Sequence, residues 1–217
     1  MDPSDSNLKS YYRGRAPIYD RVYTYPERQK DLRFLEDYIP KQFTGLDVLE
    51  IAAGTGYWTQ FIAAKSMSIL ATDAVIESLT QIEKRSISKP VSIKVVDAYS
   101  LTEIPRKFNG AFAGLWLSHV PKQRLSEFLQ TLHQTLEPGA TVLFVDNSTV
   151  QCERLPLSYT DEWGNTFQDR ELEDGTVHRI LKNFPAQVEL IKAIGNFGSN
   201  PKYIQLDNFW LFQYTAN

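Results

Sequence analysis

Short apolar runs recur along this chain, and several of them close on an acidic residue. The first, Leu46–Ile51, is interrupted only by Asp47 and Glu50. Val48, Leu49 and Ile51 suit a buried parallel strand, which shows no polar alternation because both of its faces are covered. Ser68–Asp73 reads as a second strand, and Val91–Val96 as a third running into Asp97 and Ala98. Asn109–Leu117 reads as a fourth running into Ser118 and His119, and Ala140–Asp146 as a fifth, entered through a turn at Pro138 and Gly139. Between the strands the apolar period becomes helical. Pro26–Ile39 puts Leu32, Leu35 and Ile39 on one face and ends at Pro40, leaving Glu27, Arg28, Lys30 and Asp31 on a solvated outer face. Tyr57–Lys65 starts a helix directly after the first strand's turn, and Ala74–Arg85 carries Val75, Leu79 and Ile82 inward. A helix opened by Pro121 aligns Leu125, Phe128, Leu129, Leu132 and Leu136. This alternation predicts an α/β fold with a mostly parallel, doubly wound sheet.

The alternation breaks between Asn147 and Phe184. There Thr166–Leu172 and Thr176–Lys182 are strand-like runs joined by Glu173, Asp174 and Gly175, which predicts a β-hairpin inserted after the fifth strand. It serves either as a wall of a substrate pocket or as a surface decoration. Ala186–Ile194 reads as a helix with Val188, Ile191 and Ile194 inward, and Tyr203–Asp207 and Phe209–Thr215 as a final pair of strands. Residues 1–9 read as a disordered start. Tyr11–Tyr23, dense in tyrosine and arginine, is either an amphipathic helix packed on the domain or a flap over a ligand, since tyrosine joins apolar area to a hydrogen-bonding tip. No repeat or linker divides the chain, so one domain over 1–217 is expected, with 1–25 as the flap and 147–184 as the insertion.

The turn after the first strand is made of small residues, Ala52, Ala53, Gly54, Thr55 and Gly56, where bulk would keep the backbone from approaching a ligand. The following helix leaves its first N–H groups free to face something polar or anionic. The dinucleotide fingerprint needs a third glycine where Thr59 stands, and the P-loop ending Gly-Lys-Ser or Gly-Lys-Thr is absent. Glu50 followed by Ala-Ala-Gly-Thr-Gly resembles motif I of the class I S-adenosylmethionine-dependent methyltransferases, acid-x-Gly-x-Gly-x-Gly, with Ala52 in place of the first glycine. Asp73, 17 residues after Gly56, resembles the family's second acid. The spacing Tyr12, Ala16, Tyr19, Asp20 resembles the N-terminal segment of its small-molecule members. The resemblance covers nearly the whole chain from residue 11 onward.

It implies a Rossmann-like seven-stranded sheet in the order 3-2-1-4-5-7-6 with strand 7 antiparallel. It implies S-adenosylmethionine as cofactor, and methyl transfer to an O, N, S or activated C of a small-molecule acceptor by in-line displacement. Asp73 would take the ribose hydroxyls, a position that suits a helix N-cap as well. Ala74 and Val75 would press on the adenine, and Asp97 would take its amino group with the Ala98 N–H on a ring nitrogen. Glu50, Ala52, Gly54, Gly56, Trp58 and Leu115 complete the cofactor set, joined by Tyr11, Arg15 and Tyr19 of the flap. Tyr12, Tyr23, Trp163, Arg170 and His178 are the candidates on the acceptor side.

A sulfonium methyl is already a strong electrophile, so the protein must chiefly hold the nucleophile in line, near ~3 Å, and exclude water. A phenol or ammonium acceptor also needs a base. His119 is the best-placed candidate, with His178 and Asp146 behind it, and the same histidine could shape the helix start without touching substrate. His133 falls within a helix and reads as structural. The histidines have no metal-ligand spacing and Cys152 is the only cysteine, so neither a metal centre nor an internal disulfide is expected, in agreement with a reducing cytosol. The polar start MDPSDSNLKS carries no secretory signal or lipid anchor, and no apolar run approaches membrane-spanning length, so a cytoplasmic protein is expected. A net charge of −3 without a lysine or arginine tract disfavours nucleic acid as a partner. An RNA or protein methyltransferase, a non-catalytic cofactor-binding protein and an NAD-dependent oxidoreductase stand behind the leading reading.

Overall fold

The computed structural model describes residues 3–87 and 89–217. Its strands are β1 (Asp47–Ile51), β2 (Ser68–Asp73), β3 (Ser92–Val95), β4 (Phe108–Gly114), β5 (Leu136–Asn147), β6 (Tyr159–Thr160), β7 (Thr166–Glu171), β8 (Val177–Leu181), β9 (Gly198–Gln205) and β10 (Phe209–Ala216). Its helices are α1 (Pro3–Arg15), α2 (Gln29–Gln42), α3 (Tyr57–Lys65), α4 (Ile76–Leu79), α5 (Leu125–Gln134), α6 (Gln151–Arg154) and α7 (Gln187–Ala193). Seven strands form one sheet in the order β3-β2-β1-β4-β5-β10-β9. The strands β1 to β5 pair in parallel, whereas β10 is antiparallel to both β5 and β9. This is the expected order 3-2-1-4-5-7-6, with β9 and β10 as strands 6 and 7. A separate sheet, β6-β7-β8, contains the hairpin inserted after β5.

Alternation along each buried strand feeds a core on both faces of the large sheet. Leu49 and Ile51 of β1 join Phe128 and Leu132 of α5 and Leu190 of α7 on one side. Val48 joins Leu32 and Leu35 of α2 and Ile62 of α3 on the other. No described helix is long and apolar enough to cross a membrane.

Several boundaries differ from the sequence expectation. The disordered start expected over 1–9 gives way to α1 from Pro3, with residues 1–2 outside the described residues. Leu8 and Tyr11 bury themselves against Ile180 of β8, and that tertiary contact carries a helix whose composition alone would not. The helix stops at Arg15 and continues as a 3-10 segment, Ala16–Tyr23, because Pro17 disfavours α geometry at the residue before it. In α2, Pro40 lies inside the last turn instead of ending the helix. Arg28 and Asp31, expected in solvent, are only 5% and 3% exposed. Asp31 is drawn inward by the Asn208 backbone N–H, 2.6 Å from its Oδ2.

The helix expected over Ala74–Arg85 breaks into α4 and a 3-10 turn at Ile82–Lys84, consistent with its β-branched Val75, Ile76, Thr80 and Ile82. The strand expected over Asn109–Leu117 ends at Gly114, because Leu115 takes a left-handed conformation at φ 58°. Of the residues expected inward here, Ile194 at the end of α7 is buried whereas Val188 and Ile191 are exposed, and Leu190 takes the inward position instead. Strand β9 starts at Gly198, earlier than the expected Tyr203. As the outer strand of the sheet it tolerates Pro201 and Lys202, which blunt an open edge.

Candidate functional site

The carboxyl ends of β1 to β4 converge on one edge, where parallel strands leave their turns free to receive a ligand. The turn after β1 needs left-handed backbone at Ala52, Gly54 and Gly56 (φ 51°, 57° and 78°). A Cβ on Gly54 would meet nothing within 4 Å, so the backbone there borders open space. Asp73, ending β2, holds this turn: its Oδ2 accepts the Gly54 N–H at 3.0 Å and its Oδ1 the Val75 N–H at 2.8 Å. Burial pushes the Asp73 carboxyl up to about 6, against the pull of these N–H donors. At the end of β3, Asp97 Oδ2 accepts from Lys9 Nζ of α1 at 2.6 Å. Burial and this ammonium act in opposite directions on the Asp97 carboxyl, and the net effect keeps it below its ordinary value.

These groups border a narrow slot of about 80 Å³. Tyr12, Tyr19, Ala52, Gly54, Asp73, Ala74, Val75, Asp97, Ala98, Leu115 and His119 all line it, and so do Leu8 and Lys9 of α1. The slot is small because α1 lies across it. The 3-10 segment after α1 is fastened to the same turn: Asp20 accepts from Thr55 Oγ1 and from Arg85 Nη2, both at 2.5 Å.

A second cavity of about 960 Å³ adjoins the slot, and the two share Tyr12, Tyr19, Leu115 and His119. Tyr11, Arg15 and Arg170 line the larger one. His119 sits at the junction. Its Nδ1 is 2.6 Å from the Leu181 carbonyl, which can only accept, so Nδ1 carries the hydrogen. Nε2 is then the acceptor for the Tyr12 hydroxyl at 2.8 Å. Burial, with Lys182 and Arg170 nearby, holds the imidazole well below its ordinary pKa, so it is neutral. Behind it, Asp146 is fully buried, and its Oδ1 accepts from Lys182 Nζ at 2.9 Å. Lys182 is pushed down to about 8 by burial and remains protonated at neutral pH.

Besides Asp146, six of the sequence candidates line neither cavity. Glu50 lies behind the turn, 1% exposed, with Oε2 accepting from Thr59 Oγ1 at 2.6 Å. Gly56 is closed off by Ile82, whose Cγ1 would stand 2.6 Å from an added Cβ. Trp58 fills the core against Gly114 and Phe112. Tyr23 stacks on Tyr57 with centroids 3.5 Å apart. Trp163 is 61% exposed in the turn between β6 and β7. His178 Nδ1 pairs with Asn7 Oδ1 at 2.8 Å, tying β8 to α1. These residues build or brace the site without facing it.

Conversely, Lys9, Arg28, Asn147 and Lys182 line the cavities although sequence reading had not placed them there. Strand alternation could have found one group: Gln168 and Arg170 are the buried positions of β7, facing a run on β8 and just after it in which Ile180, Leu181 and Lys182 are all buried. Among the described residues no three His, Cys, Asp or Glu side chains gather as a metal site would require.

The position of Glu50 yields a prediction. Burial raises its carboxyl to about 8, so it is protonated at neutral pH. Glu50→Gln retains an oxygen for Thr59 and should leave cofactor affinity within about twofold. Glu50→Ala, which leaves Thr59 unpaired, should cost about 1–3 kcal/mol in chemical denaturation.

Residues 48–139 match the family model described as a methyltransferase domain. No curated protein matches this sequence. Among solved structures, the DhpI–SAH complex superposes with a TM-score of 0.82 at 24% identity, covering 100% of this chain and 98% of that one. The DhpI–SAM–HEP complex gives 0.81 at 26% identity, covering 99% and 98%. SAM-bound CalS10, an amino pentose methyltransferase from Micromonospora echinaspora, gives 0.62 at 13% identity, covering 92% and 97%. With its sheet order and its glycine turn, the chain carries a methyltransferase domain over residues 48–139 and is similar in fold to the class I S-adenosylmethionine-dependent methyltransferases.

Proposed function

We propose that this protein transfers a methyl group from S-adenosylmethionine to a small-molecule acceptor, with the slot as the cofactor seat and the 960 Å³ cavity as the acceptor chamber. The observation that carries this reading is the meeting of the two cavities at Tyr12, Tyr19, Leu115 and His119. S-adenosylmethionine supplies a sulfonium methyl, whose S–C electron pair leaves on sulfur as the acceptor's lone pair takes the carbon. The residues present fit such a molecule. Asp73 has oxygens for two ribose hydroxyls, Ala74 and Val75 offer an apolar floor for adenine, and the open backbone at Gly54 admits the chain of the ligand. The buried Trp116 Nε1 at this slot has no partner among the described residues and is a donor in reserve.

At about 80 Å³ the slot is well below the ~300–1,000 Å³ of small-molecule sites, so α1 must withdraw Leu8 and Lys9 for the cofactor to enter. Breaking the half-exposed Lys9–Asp97 pair frees the carboxylate for the adenine amino group at little cost. Once closed, α1 and the segment to Tyr23 exclude water from the transfer. The larger cavity has the size of a small-molecule site, which favours a free acceptor over a protein or an RNA. The two DhpI complexes, one with SAH and one with SAM and HEP, and amino-pentose-modifying CalS10 support the same choice.

His119 is the group through which an acceptor proton would leave, received at Nε2 directly or through the Tyr12 hydroxyl that already points to it. Burial, with Lys182 and Arg170 beside it, depresses its basicity, and negative charge on the acceptor would offset the part due to the two cations. His119→Ala should lower kcat about 10²- to 10⁴-fold with little change in cofactor affinity. Full turnover across pH 6 to 9 would remove the histidine from the chemistry. The test of the reading as a whole is S-adenosylhomocysteine release over a panel of small acceptors. Cofactor binding without product from any acceptor would favour a non-catalytic binding protein.

A further inference from the structure

The larger cavity has an uneven distribution of charge. Its acidic lining residues, Glu27, Glu153, Asp169, Glu171 and Glu173, are all exposed at the rim. Several of them are already engaged: Asp169 pairs with Arg179 at 2.9 Å and Glu173 with Arg21 at 2.5 Å. The buried charged residues of the lining are all cations: Arg28 at 5% exposure, Arg170 at 7% and Lys182 at 1%. Only Lys182 has a counter-charge, Asp146. Among the described residues no carboxylate lies within ion-pair distance of Arg28 or Arg170.

Arg28 donates to the Val22 carbonyl at 3.3 Å and rests against the Tyr25 and Phe209 rings. Arg170 is held more firmly. Its Nη2 donates to Gln168 Oε1 at 2.8 Å, and Gln168 in turn donates to the Leu155 carbonyl. That leaves Arg170 Nε buried with no partner among the described residues. A desolvated guanidinium without a counter-ion is costly, and such a group persists where a ligand supplies the missing charge. On the same cavity the amide oxygens of Asn147 and Gln151 are buried and unpartnered, and each needs a donor.

We infer that the acceptor is a small acid, its carboxylate or phosphoryl oxyanion bound by the fixed guanidinium of Arg170 in the field of Arg28 and Lys182, with a hydroxyl or ammonium group elsewhere on it donating to Asn147 and Gln151. This rests on the reading of the 960 Å³ cavity as the acceptor chamber. A guanidinium is planar and presents parallel donors, which suits an oxyanion far better than a neutral carbonyl. The negative charge of such an acceptor would also relieve the field that suppresses His119.

The experiment measures S-adenosylhomocysteine release with small hydroxy- and amino-acids in two arms, carboxylates and phosphoryl compounds, each beside its neutral amide or ester. S-adenosylmethionine affinity is titrated in parallel for wild type, Arg170→Met and Arg170→Lys. The expected result is turnover in at least one acid arm, with kcat/KM about 100-fold or more above the neutral counterpart, and the productive arm identifies the anion. Arg170→Met should lose about 100-fold or more in kcat/KM, Arg170→Lys less, and both should bind cofactor within twofold of wild type. Thermal melts guard against misfolding: inorganic phosphate or acetate should raise the melting temperature of wild type but not of Arg170→Met, whose own melting temperature should not fall. Neutral acceptors turned over as well as their acids, or wild-type kcat/KM in Arg170→Met, would overturn the inference. So would cofactor binding with neither turnover nor stabilisation by any anion. Failure of wild type to bind S-adenosylmethionine would instead remove the functional reading on which the inference stands.

Discussion

Asp146→Ala is expected to lower stability by about 3–5 kcal/mol, the cost of leaving one member of a buried ion pair alone. For a chain of this length that corresponds to a melting temperature lower by roughly 6–20 °C. The size follows from what the carboxylate does. It is fully buried, and its Oδ2 accepts the Ser118 backbone N–H at 2.9 Å. Its Oδ1 accepts the Asn147 backbone N–H at 2.8 Å and Lys182 Nζ at 2.9 Å. Without it, the Lys182 ammonium keeps only Ser118 Oγ at 2.5 Å, and two backbone donors lose their acceptor. The pair sits beneath His119, so the same loss should loosen the junction of the two cavities. Adding Lys182→Met should recover a good part of the deficit, because the uncompensated cation goes with it. A single-variant loss under about 1 kcal/mol would mean that water reaches Lys182 and that the pair is not a desolvated one.

Asp73→Ala should weaken cofactor binding about 10- to 150-fold, the loss of charge-assisted hydrogen bonds of about 1.5–3 kcal/mol. Part of the effect is direct, through the ribose hydroxyls, and part is indirect, since Asp73 also holds the Gly54 and Val75 N–H groups. Asp73→Asn separates the two, as its amide oxygen retains one backbone bond but not the charge. A pH dependence follows with a definite sign. The Asp73 carboxyl titrates at about 6, above its ordinary range, so it is ionised at pH 7 and above and protonates as the pH falls through 6. Wild-type affinity should therefore be flat from pH 7 to 9 and fall below about pH 6, while Asp73→Asn should show no such slope. Calorimetry across this range checks both statements.

Much of this arrangement was legible in the sequence, because it depends on local order. Val48, Leu49 and Ile51 followed by small residues define strand and turn within a dozen positions. Asp73 and Asp97 fall at strand ends because the period of the apolar runs puts them there. The hairpin was readable for the same reason, whereas the antiparallel direction of β10 came only from the family resemblance. What stayed hidden depends on contacts distant in sequence. Trp58 and Tyr23 resemble pocket aromatics by composition, yet an aromatic ring serves a core as well as a pocket, and only packing against Gly114 and Tyr57 decides. Lys9 meets Asp97 across 88 positions, and no local pattern encodes that pairing. The polar α1 forms because Leu8 and Tyr11 find Ile180, which propensity does not register. Arg28 looked like a solvated charge because nothing in its own helix betrays the rings of Tyr25 and Phe209 beside it.

Calorimetric titration of the intact protein decides whether the slot at the ends of β1, β2 and β3 holds S-adenosylmethionine. Micromolar binding of S-adenosylmethionine and S-adenosylhomocysteine is expected, weakened in Asp73→Ala, with no binding of NAD. Heats from NAD as strong as those from either sulfur compound, or no binding of the latter at pH 7.5, would contradict it.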